Sequence, residues 1–161
     1  MSFLHLNFTD LFNSPPFWSM FFSWMIAQGG KMVIALLRTR RLDFRYMVST
    51  GGMPSAHSAM VCSLAVSIGL AQGFETPLFA LALGFALIVM FDASTVRRAA
   101  GQQARLLNEI LDELFKEHHL SEKKLAELLG HTRLEVFMGM IVGTEVAFIV
   151  TSIALLLSSR A

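Results

Sequence analysis

The chain has 161 residues, of which 54% are hydrophobic and 16% are charged, and its mean hydropathy is +0.57. Soluble domains carry a charge on about a quarter of their residues, so this composition excludes an ordinary soluble protein and favours an integral membrane protein. The net charge of +1 does not indicate a nucleic-acid partner, and we expect none. The single cysteine, Cys62, excludes a disulfide bond within one chain. We predict one membrane domain over residues 1–161.

Four segments are apolar and long enough to cross a bilayer, which takes about 20 helical residues. In chain order they are about residues 17–37, 56–73, 77–95 and 134–158. Pro77 suits the first turn of the third segment, because the N–H that proline lacks has no helical partner there. The expected fold class is therefore all-α, an integral membrane helical bundle of about four spans.

Residues of about 102–130, between the third and fourth spans, have a different pattern. Large apolar residues recur three and four positions apart with charges between them, which predicts an amphipathic cytoplasmic helical segment. Ser121 suits the N-cap, and Gly130 the end, of a second, short helix. The segment lies on the membrane surface, covers a partner, or is a solvated connector with its apolar face on the protein. The connector is the simplest interpretation.

The basic residues are concentrated on one side of the predicted bundle. Of the 13 Lys and Arg, 12 lie from Lys31 to Arg133. Threading four spans places the two long connections, 38–55 and 96–133, on one side of the membrane, and both termini with the turn at 73–76 on the other. Basic residues are enriched on the cytoplasmic side. We therefore expect the side of the bundle that carries the two long connections to face the cytoplasm.

Residues with catalytic or anion-binding side chains occur where the spans emerge on that side. Lys31 and Arg38 are two helical turns apart, so they project from one side of the first span. The other candidates begin or end the remaining spans: Ser55 and His57, then Asp92, Arg97 and Arg98, then His131 and Glu135. Because chance would scatter such residues over both sides, their convergence predicts a single site.

The predicted site is rich in cations, which favours an anion with several oxygen atoms. The planar guanidinium of arginine suits phosphate, and unpaired charge within a membrane normally serves a function. Gly51 and Gly52 allow the backbone to approach a ligand, and Pro54 begins a helix whose free N–H groups face an anion. Ser55 adds a hydroxyl donor, and His57, one turn further on, can give or take a proton.

Each candidate also has a purely structural interpretation. His57 suits a polar helix start, His131 suits a helix boundary, and the ammonium of Lys31 can extend to the membrane surface. Arg97 and Arg98 suit a positive-inside stop signal. Four other residues indicate packing or a solvated surface rather than chemistry: Gly139 and Gly143 for helix packing, and His118 and His119 for a solvated face instead of a metal site.

Three motifs, in this order, resemble those of the type 2 phosphatidic acid phosphatase superfamily, which includes the vanadium haloperoxidases. The first, Lys-x6-Arg-Pro, is similar to KMVIALLRT, which has threonine instead of proline, and the second, Pro-Ser-Gly-His, is similar to PSAH at 54–57. The third, Ser-Arg-x5-His-x3-Asp, is divided. Arg97 or Arg98 supplies its arginine and HTRLEV its histidine, with Glu135 in place of aspartate, and roughly thirty residues intervene. The pattern resembles the divergent bacterial and plastid branch.

The resemblance implies a role for each matching residue. His131 would attack phosphorus and form a phosphohistidine, Glu135 would orient the ring of His131, and His57 would protonate the leaving alcohol. The groups that would neutralise the phosphate oxygens are Lys31, Arg38, Gly52, Ser55 and Arg97 or Arg98. Asp92 has no counterpart in the general motif, and we expect it to position one of the two arginines. No metal and no cofactor are implied.

The expected function is that of a membrane phosphatase that hydrolyses a phosphomonoester or pyrophosphate of a lipid. Phosphatidylglycerophosphate, phosphatidic acid and isoprenoid phosphates all place phosphate at headgroup depth while their tails stay in the bilayer. The superfamily usually has six helices, so a homodimer would complete the groove of a four-span bundle. Two alternatives stay open: a non-catalytic membrane protein that binds lipid phosphate as a sensor or assembly factor, and a phosphotransferase that passes the phosphoryl group to an alcohol.

Overall fold

The computed structural model describes residues 8–40, 51–114 and 130–160, and of residues 113 and 114 only the backbone. A short 3₁₀ helix, Phe8–Asn13, precedes five α-helices: α1 Pro15–Thr39, α2 Ala56–Gln72, α3 Pro77–Ser94, α4 Val96–Leu114 and α5 Arg133–Ser158. No strand occurs within the described ranges. The predicted all-α class is confirmed.

The four apolar helices α1, α2, α3 and α5 begin and end within two residues of the predicted spans. By length and composition, α1, α5 and the run Pro77–Asp112 can each cross a membrane, whereas α2 is apolar but has 17 residues. That length is at the short end of the range of about 17–25 residues for membrane helices. The protein is an integral membrane helical bundle.

Prolines and a capping hydroxyl define where two of these helices begin. Pro15 and Pro16 occupy the first positions of α1, as Pro77 does in α3, where a backbone N–H would have no helical partner. The hydroxyl of Thr76 accepts a hydrogen bond from the N–H of Phe79 at 3.3 Å. The tight turn between α2 and α3 therefore joins them as a helical hairpin.

Helix α2 lies at the centre of the bundle and packs against α1, α3 and α5. Small side chains occupy the contacts, and Ala27, Ala59, Ala86 and Ala147, one from each of the four helices, are at most 1% exposed. Because lipid tails are as apolar as leucine, membrane helices associate through close packing of such small residues. Many large apolar side chains accordingly face outward, where lipid surrounds the bundle.

Hydroxyl groups form hydrogen bonds between the closely packed helices. Ser23 of α1 bonds to Ser63 of α2, and Ser67 of α2 bonds to Thr151 of α5, both at 2.7 Å. The hydroxyl of Ser19 lies 3.5 Å from that of Thr151, and all five side chains are fully buried. Interhelical hydrogen bonds of this kind contribute about 0.6–1.7 kcal/mol each in membranes, so they help to set the relative depth of the three helices.

Two glycines allow α5 to approach α2. A Cβ atom on Gly139 would collide with the carbonyl of Ser55, and one on Gly143 would collide with the carbonyl of Ala59. The packing role predicted for these glycines is confirmed. The hydroxyl pair between α2 and α5 continues the same register further along both helices. The two helices therefore run parallel and begin at the same end of the bundle.

The amphipathic helix begins earlier than the predicted boundary at about residue 102. Helix α4 follows α3 after a break at Thr95, whose N–H donates to carbonyls of the preceding turn, so the chain resumes a helix at once. Among the side chains of α4 that the structure describes, four large apolar ones are exposed: Val96, Leu106, Leu107 and Ile110. The second, short helix predicted from Ser121 lies outside the described residues.

Candidate active site

His131 lies in the short segment that precedes α5, and its backbone is tied to the end of α3. The N–H of His131 donates to the carbonyl of Ala93 at 3.1 Å. Gly130 packs so closely on the backbone of Arg97 and Arg98 that a Cβ atom would collide with it. Glycine is therefore needed at position 130, and the contact brings the two halves of the divided third motif together.

Glu135 joins the helix cap of α5 to the ring of His131. Its Oε2 atom accepts a hydrogen bond from the N–H of Thr132 at 2.8 Å and lies 3.2 Å from Nδ1 of His131. The Thr132 hydroxyl in turn accepts from the N–H of Glu135 at 3.3 Å, which completes a capping box. Because an ionised carboxylate only accepts hydrogen bonds, Nδ1 carries the proton and the lone pair of the neutral ring is on Nε2.

Thr132 was not among the predicted site residues. The signal was present, since Thr132-Arg133-Leu134-Glu135 has the Ser/Thr-x-x-Glu spacing of a capping box at the start of an apolar run. The family motif supplied a role for the glutamate and the histidine and gave no reason to consider the threonine between them. In the structure, Thr132 holds the carboxylate that orients His131.

His131 is only 3% exposed, and its Nε2 atom is buried without a hydrogen-bond partner among the described residues. Burial lowers the pKa of His131, and the hydrogen bond to Glu135 opposes that effect. The positive charges of Lys31 and Arg97 lower the pKa of His131 further. The ring is therefore neutral at pH 7, and its Nε2 is an unsatisfied acceptor of the kind that is found at catalytic centres.

His57, in the first turn of α2, lies beside His131. The centroids of the two rings are 6.5 Å apart and their planes are inclined by 59°. The N–H of Ser55 donates to the carbonyl of Glu135 at 2.9 Å, which joins the start of α2 to the first turn of α5. His57 is exposed whereas His131 is buried. At this separation one phosphoryl group can contact both rings.

A cavity of about 350 Å³ lies next to the histidines, between α1, the start of α5 and residues 51–53. The candidate residues that line it are Lys31, Arg38, Gly52 and Glu135. Lys31 is 4% exposed, and Gly52, whose φ is +91°, lies against its aliphatic chain. A positive φ favours glycine at that position. Neither histidine lines the cavity, so Glu135 is the residue that both the cavity and the histidine pair share.

Asp92 forms an ion pair with Arg97, with 2.7 Å between Oδ2 and Nε. The sequence left open which arginine Asp92 would position, and the structure pairs it with Arg97. The positive charge of Arg97 acts on both His57 and His131. Arg98, the next residue of α4, is exposed like Arg97, but its charge is not among those that act on either ring. Of the two arginines, Arg97 is therefore the better placed to contact a phosphoryl group held between the histidines.

Ser55 is fully buried and caps α2. Its oxygen accepts hydrogen bonds from the N–H and the hydroxyl of Ser58, at 3.4 Å and 3.0 Å. Only the hydroxyl proton of Ser55 is left for a ligand. Gln28, one turn before Lys31 on α1, is 6% exposed, and its Oε1 has no hydrogen-bond partner in the described part of the chain. Gln28 was not among the predicted site residues, although a glutamine in an apolar span is itself a signal.

No group of three or more metal-ligating side chains occurs among the described residues. His118 and His119 lie outside those residues.

The structure brings the candidate residues together in two adjoining sets. The cavity set contains Lys31, Arg38, Gly52 and Glu135, and the histidine set contains His57, His131 and Glu135 with Arg97 close by.

Residues 12–146 match the model of the divergent PAP2 family, a branch of the type 2 phosphatidic acid phosphatases. The matched range contains every candidate site residue. The chain belongs to the divergent PAP2 family. This family member is also similar to the uncharacterized membrane protein YuiD of Bacillus subtilis (strain 168), with 38% identity over 145 residues, which cover 83% of the chain and 92% of the relative. No solved structure matches the chain.

Proposed function

We propose that this protein of the divergent PAP2 family is a membrane phosphatase that hydrolyses a phosphomonoester or pyrophosphate of a lipid through a phosphohistidine on His131. The observation that carries the proposal is the state of His131. Glu135 holds its Nδ1, its Nε2 is buried without a partner among the described residues, and a second histidine ring lies 6.5 Å away. A neutral, oriented and unsatisfied imidazole nitrogen is suited to nucleophilic attack.

The reaction has two steps in which atoms and protons balance. In the first, the lone pair on Nε2 of His131 attacks phosphorus, the bond from phosphorus to the leaving oxygen breaks, and protonated His57 gives its proton to that oxygen. In the second, neutral His57 takes a proton from water, whose oxygen attacks phosphorus while the nitrogen–phosphorus bond breaks. Phosphate leaves, and both histidines return to their starting states. Glu135 stabilises the positive charge on the His131 ring in the intermediate.

The cations next to the histidines suit the charge that develops on the phosphoryl oxygens. Lys31 and Arg38 line the cavity, and Arg97, held by Asp92, extends its charge to both rings. Backbone N–H groups near Gly52 are further donors. When fixed positive groups stabilise the negative charge that develops in the transition state, they make one of the largest contributions to catalysis. The wider phosphate-binding set of the proposal also includes Ser55 and Arg98.

The substrate we propose is amphipathic, because the site is at the ends of membrane helices. A lipid phosphate places its phosphoryl group at that depth while its tails remain among the exposed apolar side chains of the bundle. Phosphatidylglycerophosphate, phosphatidic acid and isoprenoid phosphates all meet this condition. We propose that the site faces the cytoplasm from a bacterial inner membrane, since the basic residues cluster on this side.

The test measures inorganic phosphate released from each of these lipids by the purified full-length protein in detergent. We expect release from at least one lipid by the wild type. His131→Ala removes the nucleophile and lowers the rate by about 10⁴-fold or more. His57→Ala removes the proton donor and lowers it by about 10²–10⁴-fold. Acid quenching of the wild type with labelled substrate traps a phosphohistidine that His131→Ala lacks.

His118→Ala is the matched control, because it removes a histidine that the motifs do not assign to the site, and we expect it to retain wild-type activity. Full activity in His131→Ala contradicts the proposal. Binding of lipid phosphate without release by the wild type supports a sensor or assembly factor instead. New phosphoesters formed when glycerol is added indicate a phosphotransferase.

A further inference from the structure

One acidic side chain lies far from the candidate site. Within α1, α2, α3 and α5, every other acidic or basic residue lies in the part of its helix nearest the site. Glu145 lies instead in the middle of α5, which has 26 residues, about 18 Å along the helix from Arg133. Its side chain is exposed on the outside of the bundle and has no hydrogen bond or ion pair within the described residues.

This position is unfavourable for a single copy of the chain in a bilayer. Helix α5 is about 39 Å long and the hydrocarbon layer is about 30 Å thick, so the middle of the helix is surrounded by lipid tails. Lysine and arginine can extend to the membrane surface from some depth, but a glutamate side chain is too short to do so. Ionisable residues inside membranes almost always face protein and pair with another polar group. The exposure of Glu145 therefore indicates a partner that covers it.

The neighbours of Glu145 have the spacing of a helix that packs lengthwise against another helix. Six residues of α5 alternate in steps of three and four, which is the heptad pattern: Met138, Ile141, Glu145, Phe148, Ser152 and Leu155. We call them the α5 stripe. The last four residues of the stripe are exposed and the first two are half-buried. Polar residues at single positions of such a seam set the register of the two helices.

We propose that the α5 stripe is the interface of a homodimer, in which Glu145 of each copy hydrogen-bonds to the same carboxyl group of the other. A protonated carboxyl group has one donor and one acceptor, so two of them satisfy each other. Both copies insert in the same orientation, and a two-fold axis along the membrane normal brings identical residues together. Ser152, two helical turns further on, adds a second hydroxyl pair. The inference does not depend on the proposed phosphatase activity.

A second copy is the occupant that the described surface favours. A partner that neutralised Glu145 with a cation would need that cation at the same depth. The described parts of α1, α2, α3 and α5 have no basic residue in this middle region of the bundle, so these four helices do not supply such a cation to a neighbouring copy. The symmetric carboxyl pair needs no other group, because each carboxyl group donates one hydrogen bond to its partner and accepts one from it.

Cysteine cross-linking in membranes tests the geometry. Cys62→Ala removes the single native cysteine, and Ser152→Cys then places a thiol in the α5 stripe. Leu87→Cys, on the exposed surface of α3, is the matched control. With a membrane-permeant oxidant, we expect disulfide-linked dimers from Ser152→Cys and none from Leu87→Cys. A cross-link from Ser152→Cys to a different membrane protein, or equal dimer yields from both positions, overturns the inference.

Substitutions of Glu145 test its contribution. We expect energy transfer between labelled copies of the full-length protein in phosphatidylcholine vesicles to report a dimer that dissociates as lipid is added. Glu145→Gln keeps a donor and an acceptor and should change the dissociation constant by less than about threefold. Glu145→Leu, which favours lipid, should weaken the dimer by about tenfold. Dimers of wild-type strength in Glu145→Leu, or a wild type that is monomeric at every lipid ratio, overturn the inference.

Discussion

One oxygen of Glu135 serves both the cap of α5 and the ring of His131. We expect Glu135→Gln to separate its capping role from its role next to His131. The amide oxygen can still accept from the N–H of Thr132, so the free energy of unfolding should change by less than about 1 kcal/mol. The neutral amide cannot stabilise the positive charge on the His131 ring, so the rate of lipid-phosphate hydrolysis should fall by about 10²–10⁴-fold. Thermal unfolding and phosphate release measure the two effects.

Thr132→Ala is the complementary control. It removes the hydroxyl that caps α5 and leaves the carboxylate of Glu135 next to His131. We expect a loss of about 1 kcal/mol in stability and less than about a tenfold loss of activity. If Glu135→Gln destabilises the protein as much as Thr132→Ala and keeps its activity, then Glu135 is only a capping residue.

The environment of His131 predicts how activity depends on pH. The nucleophile must be neutral, and it becomes protonated as the pH falls through its pKa. Because burial lowers the pKa of His131 below the usual value of about 6.5, the neutral form persists to more acidic pH than in a free histidine. We expect the acid limb of kcat/KM to have its midpoint below about 6.5, with the protein still folded by thermal unfolding at the same pH. A midpoint above about 7 would contradict this assignment.

At the scale of helices, the packing of α5 on α2 determines how the histidines meet. His57 begins α2 and His131 precedes α5, so any separation of these helices also separates the two rings. Gly139 is the close contact of α5 that lies nearest the site, where α5 packs on the carbonyl of Ser55. We expect Gly139→Ala to push the helices apart, lowering stability by about 1–3 kcal/mol and lowering activity as well. Thermal unfolding in detergent and phosphate release are the measurements.

Gly84→Ala is the matched control for that substitution. Gly84 lies within α3, and a Cβ atom there would meet no other atom within 4 Å. Because alanine is the better helix former, we expect stability to stay the same or to rise by up to about 1 kcal/mol, with unchanged activity. If Gly84→Ala and Gly139→Ala change stability and activity equally, then Gly139 does not act by allowing α2 and α5 to pack closely.

The whole molecule has a polar end, where the candidate site lies. Thiols at the two ends of α5 can show which side of the membrane this polar end faces. In a Cys62→Ala background, Arg133→Cys and Ser159→Cys place exposed thiols at opposite ends of the same membrane helix. We expect a membrane-impermeant maleimide to label Ser159→Cys from outside the cell and Arg133→Cys only in inverted vesicles. The opposite result would place the site on the outer face of the membrane.

Several features of the bundle could be predicted because their causes are local in sequence. Span limits follow from hydropathy, and Pro77 marks the start of α3, so the four predicted spans agree with the observed apolar helices within two residues. The start of α4 was predicted too late. Its break is a single residue, Thr95, and no glycine or proline marks it.

The sequence by itself determined the class of protein, the number of apolar helices and the set of residues at the polar end, because composition, periodicity and motif order are properties of the chain alone. Only the tertiary structure decided which of these residues meet. It paired Asp92 with Arg97, joined His131 to Ala93 and left Nε2 of His131 without a partner in the described chain. Such contacts depend on how α2, α3 and α5 pack, and helix packing depends on residues far apart in sequence.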